Sequence, residues 1–289
     1  MAAPLDTDRL SALLDRFRIR AHMFHTGALC GLTRFEARAG RAYLHVLRQG
    51  NIDVTHKARS GAPARVRLRE PTLVFYPRPL EHTFHNPPRE GADFTCAELD
   101  FEGGASHPLA RALPALVVLP LAQVPGLAES LALLFAETDH VRCGRRLLAD
   151  RLFEVVLIQL MRWLLDHPEQ AGMHPGLISG LSDPRLARAL TAMHEAPGKI
   201  WSLERMAAVA GMSRTRFANA FRQLVGQTPA DYLADWRVAL AKDALSRGRP
   251  IKLLANELGY ANPSALSRVF AQRTGQSPRA WSRAAIASG

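Results

Sequence analysis

WSLERMAAVAGMSRTRFANAFRQLVGQTPADYLADWRVALAKDALSRGRPIKLLANELGYANPSALSRVFAQRTGQSPRAW, residues 201–281 of a 289-residue chain, contains one pattern twice. Met206-Ala207 followed by Gly211 matches Leu254-Ala255 followed by Gly259 at an offset of 48 residues. Past the turn, Phe217, Phe221 and Gly226-Gln227-Thr228-Pro229 match Leu266, Phe270 and Gly275-Gln276-Ser277-Pro278 at an offset of 49, so the second turn is longer by one residue. Each half reads as a short helix, a glycine turn and a second helix of about three turns, which is the helix-turn-helix pattern.

Helix starts around and between these units are strongly marked. Asp183-Pro184, Thr228-Pro229, Asn262-Pro263 and Ser277-Pro278 each set a capping side chain before a proline. The cap oxygen accepts from a backbone N–H left free in the first turn, and proline at the first helical position has no N–H to leave unsatisfied. With Gly211, Gly226, Gly259 and Gly275 marking turns or helix ends, the punctuation predicts seven short helices over residues 183–289.

Spacing separates two faces on the second helix of each unit. Phe217, Ala220, Phe221 and Leu224 fall on an inner face, leaving Thr215, Ala218, Asn219 and Arg222 outside. In the second unit Leu266, Val269 and Phe270 point inward, leaving Ser264, Ala265, Arg268 and Gln272. Small and polar residues with one arginine suit a helix in a DNA major groove, where Arg reaches guanine and Asn adenine. A solvated face has the same composition, but charge favours the first alternative. Residues 181–289 hold 16 Lys and Arg against 7 Asp and Glu, of 37 and 26 in the whole chain, so nearly all the basic excess lies in this region.

Over residues 183–283 the sequence resembles the AraC/XylS family of transcription regulators, including a long connecting helix over 229–246 with Tyr232, Arg237 and Leu245. The resemblance implies two recognition helices, held by the connecting helix, that enter successive major grooves of double-stranded DNA. It places Thr215, Ala218, Asn219 and Arg222, then Ser264, Ala265 and Arg268, at base-contacting positions. Ala218 and Ala265 are departures towards small residues, which shifts weight onto Asn219 and Arg268. The resemblance also implies an activator that touches RNA polymerase.

The first 180 residues have another character. AYLHVL, ARVRLR, TLVFY and DFTCAELDF, within 27–105, are short runs rich in β-branched and aromatic residues, separated by Gly, Pro and Asn. From Leu116 the period turns helical. Residues 145–166 bring Leu148, Leu152, Val155, Val156, Gln159, Trp163 and Leu164 to helical spacing, with apolar residues around much of the girth. Such a helix needs a large covering surface, which predicts packing on the strands and on a second copy of the chain in a homodimer. PEQAGMHPGLISG, at 168–180, has linker composition.

The strand region is similar to the cupin barrel found at the N-terminus of one AraC branch, through YLHVLRQG (43–50), LVFYPRPLEHTFHN (73–86), TCAELDF (95–101) and HPLARALP (107–114). It departs at Glu70-Pro71, where Gly-Asp is usual, and in having one His where a His-X-His pair is usual. The expected fold class is therefore α+β. A cupin-like β-barrel with flanking helices, acting as a sensor and dimerisation domain, occupies 1–167, a linker 168–182, and an all-α domain with two helix-turn-helix units 183–289.

Three inputs to the barrel stay open. His45, His82, His85 and Cys96 form a ligand set suited to zinc or another transition metal, if they converge. Cys30 or Cys96 is a candidate for oxidation sensing. An organic effector is the third alternative. His56 and His107 have no evident partner and are expected to be surface or structural residues. A metal-dependent cupin oxygenase would need the missing His-X-His pair and a carboxylate, so no enzymatic activity is expected. Three scattered cysteines make no disulfide framework. Neither a membrane span nor a signal peptide is evident, and the expected compartment is the cytoplasm.

Overall fold

A computed structural model describes residues 7–86, 91–101, 107–170 and 172–287. The chain divides into two units, one over residues 18–173 and the other formed by 174–287 together with 7–17.

In the first unit the chain runs through β1 (Ile19–Leu29), β2 (Leu32–Phe35), β3 (Arg41–Gln49), β4 (Ile52–His56), β5 (Arg65–Leu68), β6 (Thr72–Tyr76), β7 (His82–His85) and β8 (Ala92–Phe101). A short helix at Pro108–Ala112 and strand β9 (Val117–Pro120) follow, then helices at Leu127–Thr138 and Arg145–Asp166. Two antiparallel sheets result, one ordered β1-β8-β3-β6-β9 and the other β2-β7-β4-β5. Residues 42–47 of β3 are buried without a break, because this central strand is covered on both faces. Tyr43, Leu47, Val54, Val74, Tyr76, Phe84, Phe94 and Cys96 meet in the core of the barrel.

One strand carries little apolar alternation and begins before the expected limits. β1 starts at Ile19 and is mostly half-exposed. It lies at a sheet edge, where free backbone N–H groups need partners. Helix 145–166 supplies them: Asp150 Oδ1 accepts from Met23 N at 2.7 Å and Glu154 Oε1 from Ala21 N at 3.4 Å. That helix buries Ala149, Phe153, Val156, Leu160, Trp163 and Leu164. Leu148 and Val155, among the apolar residues at helical spacing, are exposed. With Leu147 and Ile158 they form a stripe of large apolar residues on the uncovered side. Strand β9 occupies a stretch where helix was expected, its short VVLP run pairing with β6 and ending at a proline that cannot extend the ladder.

The second unit opens with α1 (Ser11–Leu14), separated in sequence from its neighbours by more than 150 residues. Leu10, Leu13 and Phe17 are buried in it, and Arg16 donates to the Glu195 carbonyl at 2.8 Å. The N-terminal segment thus packs with the helices of the second unit, whereas the sequence groups residues 1–167 with the barrel. Within the expected linker, of which residue 171 lies outside the described residues, Leu177–Ser182 is helical, with Leu177, Ile178 and Leu181 buried in the helical unit.

The seven predicted helices follow at Pro184–Glu195, Leu203–Ala210, Arg214–Val225, Pro229–Ser246, Ile251–Glu257, Pro263–Thr274 and Pro278–Ala287. Asp183, Thr228 and Asn262 accept backbone N–H bonds as caps, as the Asx/Ser/Thr-Pro pairs require. Ser202 and Ser213 cap the two helices of the first helix-turn-helix unit. Gly211 takes φ +66°, the left-handed conformation the turn between them needs.

Candidate nucleic-acid interface and the barrel histidines

The second helix of each helix-turn-helix unit, 214–225 and 263–274, follows the predicted division of faces. Phe217 and Phe221 are fully buried and meet each other at 5.5 Å, and Phe221 sets its edge against Tyr232 at 5.6 Å. Leu266 and Phe270 sink into a second core with Leu245, Leu254 and Leu258. Thr215, Asn219 and Arg222 on the first helix, and Ser264, Arg268 and Gln272 on the second, are exposed, while Ala218 and Ala265 are half-buried.

Ion pairing sorts the arginines here. Arg214 is held by Glu204 at 2.7 Å, and its hydrogen bond lowers the Glu204 carboxyl to a pKa of about 2. Arg273 reaches Asp231 at 2.6 Å and Asp235 at 2.9 Å, tying helix 263–274 to the connecting helix 229–246. Arg222 and Arg268 make no side-chain hydrogen bond or ion pair among the described residues. Two free guanidinium groups therefore stand on the outer faces, able to offer a planar pair of donors to a base edge or a phosphate.

The supports of these helices are polar as well as apolar. His194 Nε2 shares a 2.6 Å hydrogen bond with the Tyr232 hydroxyl, and its ring stacks on Trp236 at 4.0 Å. Burial first, and the charge of Arg16 second, lowers its pKa to about 3, so the imidazole is neutral. Arg237, from the middle of the connecting helix, donates to the carbonyls of Pro197 at 2.9 Å and Lys199 at 3.1 Å.

The barrel brings together part of the predicted ligand set. His45 and His82 Nε2 atoms face each other at 2.9 Å, fully buried among Phe35, Tyr43, Tyr76 and Phe84. The Leu80 carbonyl, 2.9 Å from His82 Nδ1, can only accept, so His82 carries its proton there. His82 Nε2 then accepts from His45 Nε2–H, which leaves the His45 Nδ1 lone pair buried and without a partner among the described residues. Desolvation lowers the His82 pKa to about 4 and His45 well below its usual range, so both rings are neutral.

His85 does not join them. It lies three residues from His82 on a strand, where side chains alternate, and it bonds Thr55 Oγ1 at 2.8 Å instead. Cys96 is the register partner of His45 across β3 and β8, and burial pushes its thiol well up, away from the thiolate an oxidant requires. Among the described residues no three His, Cys, Asp or Glu side chains assemble around one point. Zinc takes three or four protein ligands, so two imidazoles do not fit it. Cys30 is exposed and, like Cys96 and Cys143, a free thiol. His56 takes a structural place: its Nδ1 donates to Pro63 O at 2.6 Å, and its Nε2 accepts from the Tyr76 hydroxyl at 2.9 Å. His107 is buried and caps the helix at Pro108–Ala112.

Sequence comparison finds relatives for both units. A family profile described as cupin matches residues 8–166, and one described as a helix-turn-helix domain matches 206–284. The chain is 36% identical over 143 residues to a putative AraC-like transcription regulator of Streptomyces antibioticus, covering 49% of this chain and 46% of that protein. It is 33% identical over 177 residues to the HTH-type transcriptional regulator AlkR of Acinetobacter baylyi, covering 60% and 57%. With the RCS-specific HTH-type transcriptional activator RclR of Escherichia coli it shares 27% identity over 216 residues, covering 73% and 75%. The chain thus spans about half the length of the first two relatives. All three carry the names of regulators, none of an enzyme.

Proposed function

Because the chain belongs to the cupin family and carries an AraC-type helix-turn-helix domain, we propose that it is a sequence-specific DNA-binding transcription regulator whose barrel receives the controlling signal. The observation that carries this reading is the pair of outward helix faces, each with an exposed arginine, Arg222 and Arg268, that has no side-chain partner among the described residues, in a repeat with an excess of basic residues. Double-stranded DNA presents guanine O6 and N7 in its major groove at the width of a helix, which is what such faces match. Thr215, Ala218, Asn219 and Arg222, with Ser264, Ala265 and Arg268, are the base-contacting positions on this reading.

The name of the Escherichia coli relative supports activation, and with it contact to RNA polymerase. The exposed stripe of Leu147, Leu148, Val155 and Ile158 supports a homodimer formed through the barrel unit. The cytoplasm is the compartment where DNA is reached, and among the described residues no helix is long and apolar enough to cross a membrane. For the signal, the neutral His45–His82 pair and its unpartnered acceptor favour a small organic molecule with a hydrogen-bond donor over a metal ion. A selection of full-length protein against a random duplex library tests the core of the proposal. Enrichment of one sequence is expected, and recovery of unselected sequence in proportion to input would refute it.

A further inference from the structure

The two helix-turn-helix units touch through backbone, at a place with no room for a side chain. Gly198 lies in the turn that leads into the first unit, and Gly259 lies in the turn inside the second. A Cβ added to Gly198 would fall 2.2 Å from the Glu257 carbonyl oxygen, and one added to Gly259 would fall 2.6 Å from the Gly198 oxygen. Gly259 also holds φ +75°, which side chains rarely adopt. Arg237 spans the same junction from the connecting helix. Its guanidinium donates to Pro197 O and Lys199 O on one side and lies 5.4 Å over the Tyr260 ring on the other. One planar group therefore holds the lead-in turn of the first unit against the internal turn of the second.

We propose that Gly198, Gly259 and Arg237 are positioning residues that fix the spacing of the two DNA sequences read by the recognition helices. This rests on the DNA-binding reading above. A helix pair held as one body fits two groove segments only at one separation and one rotational phase. One base pair more or less moves the second segment about 3.4 Å along the axis and about a tenth of a turn around it. A loosened junction lets the second helix follow the shifted segment. Spacing tolerance then widens, while the bases preferred within each segment stay the same, because the recognition faces are untouched.

The test uses full-length wild type, Arg237→Ala, Arg237→Lys and Gly198→Ala, on the duplex obtained by selection with wild type and on versions with one base pair inserted or removed between its two halves. Wild type is expected to lose about tenfold or more at either altered spacing, the worth of at least one lost base contact. Arg237→Ala and Gly198→Ala should show a much smaller loss, with unchanged base preference in each half. Arg237→Lys keeps the charge but cannot span both carbonyls with a planar fork, and should fall between. If it folds while Gly198→Ala does not, its spacing ratio still decides the matter. Equal spacing ratios for wild type and the folded Arg237 variants would overturn the proposal and leave the DNA-binding reading standing. Failure of wild type to select any sequence would remove both.

Discussion

The Phe17 ring sets its edge against Trp236 at a centroid distance of 5.1 Å, so a residue preceding the first barrel strand completes the core under the connecting helix of the DNA-binding unit. Phe17 is 2% exposed and Trp236 3%. Truncation at such a site removes transfer energy and leaves a cavity, about 3–5 kcal/mol for a buried phenylalanine. Phe17→Ala should accordingly lower the unfolding free energy of the helical unit by an amount in that range, with a matching fall in its urea midpoint. A fragment starting at residue 174, which also lacks the buried Leu10 and Leu13, should show a larger deficit. An unchanged midpoint would mean that the segment adds nothing to this core.

His194 makes that same core sensitive to acid. Its pKa is about 3 when folded and 6.5 when free, so between these values the unfolded chain binds more protons. Stability from this group is complete above pH 6.5 and declines as pH falls through the window. At pH 5 the loss is on the order of 2 kcal/mol, and the carboxylates have not yet begun to contribute. Wild type should lose more stability between pH 7.5 and pH 5 than His194→Gln does, as measured by denaturant midpoints. Parallel losses in the two proteins would show that the imidazole is not the titrating group.

Arg268 and Lys252 should fail in different ways. Arg268 stands on the recognition face, so Arg268→Ala is expected to cost about 1–3 kcal/mol at the selected sequence and to relax preference at one base position. Lys252, exposed on the helix Ile251–Glu257, lies off that face. Lys252→Ala should weaken all duplexes alike and reduce the salt slope by about 1. Competition binding at several salt concentrations separates the two patterns. A uniform loss from Arg268→Ala would assign it to phosphate.

The exposed stripe on helix 145–166 carries the expectation of dimers. Leu148 is 49% exposed and Val155 41%, both on the side away from the covered residues Ala149, Phe153 and Leu160. Introducing charge there, as Leu148→Glu with Val155→Glu, should convert a dimer to a monomer in sedimentation at tens of micromolar, without loss of secondary structure. A wild-type chain that sediments as a monomer under those conditions would remove the idea.

The helical unit was legible because its signals are local. Phe217 and Phe221 lie one turn apart, caps precede prolines, and the repeat places apolar residues and glycines at matching positions in both units. The barrel was legible where apolar residues come in buried runs, as in β3 and β6, and where they alternate with arginines, as in β5. The edge strand β1, half-exposed and satisfied by Asp150 and Glu154 from a helix more than 120 residues away, leaves little trace in its own composition. The docking of Phe17 is likewise a long-range event. The ligand set shows the converse error. His82 and His85 looked adjacent in sequence, yet three residues along a strand put them on opposite faces, and strand parity alone would have removed His85.

The central claim is that both helices enter the major groove of one duplex. Methylation of guanine N7, which blocks the contact an arginine would make there, tests it most directly. With the selected duplex and full-length protein, interference is predicted at two clusters on one face of the helix, about one turn or 10–10.5 base pairs apart. The cluster assigned to the second helix should disappear with Arg268→Ala. Interference confined to a single cluster, or absent from both, would contradict the account.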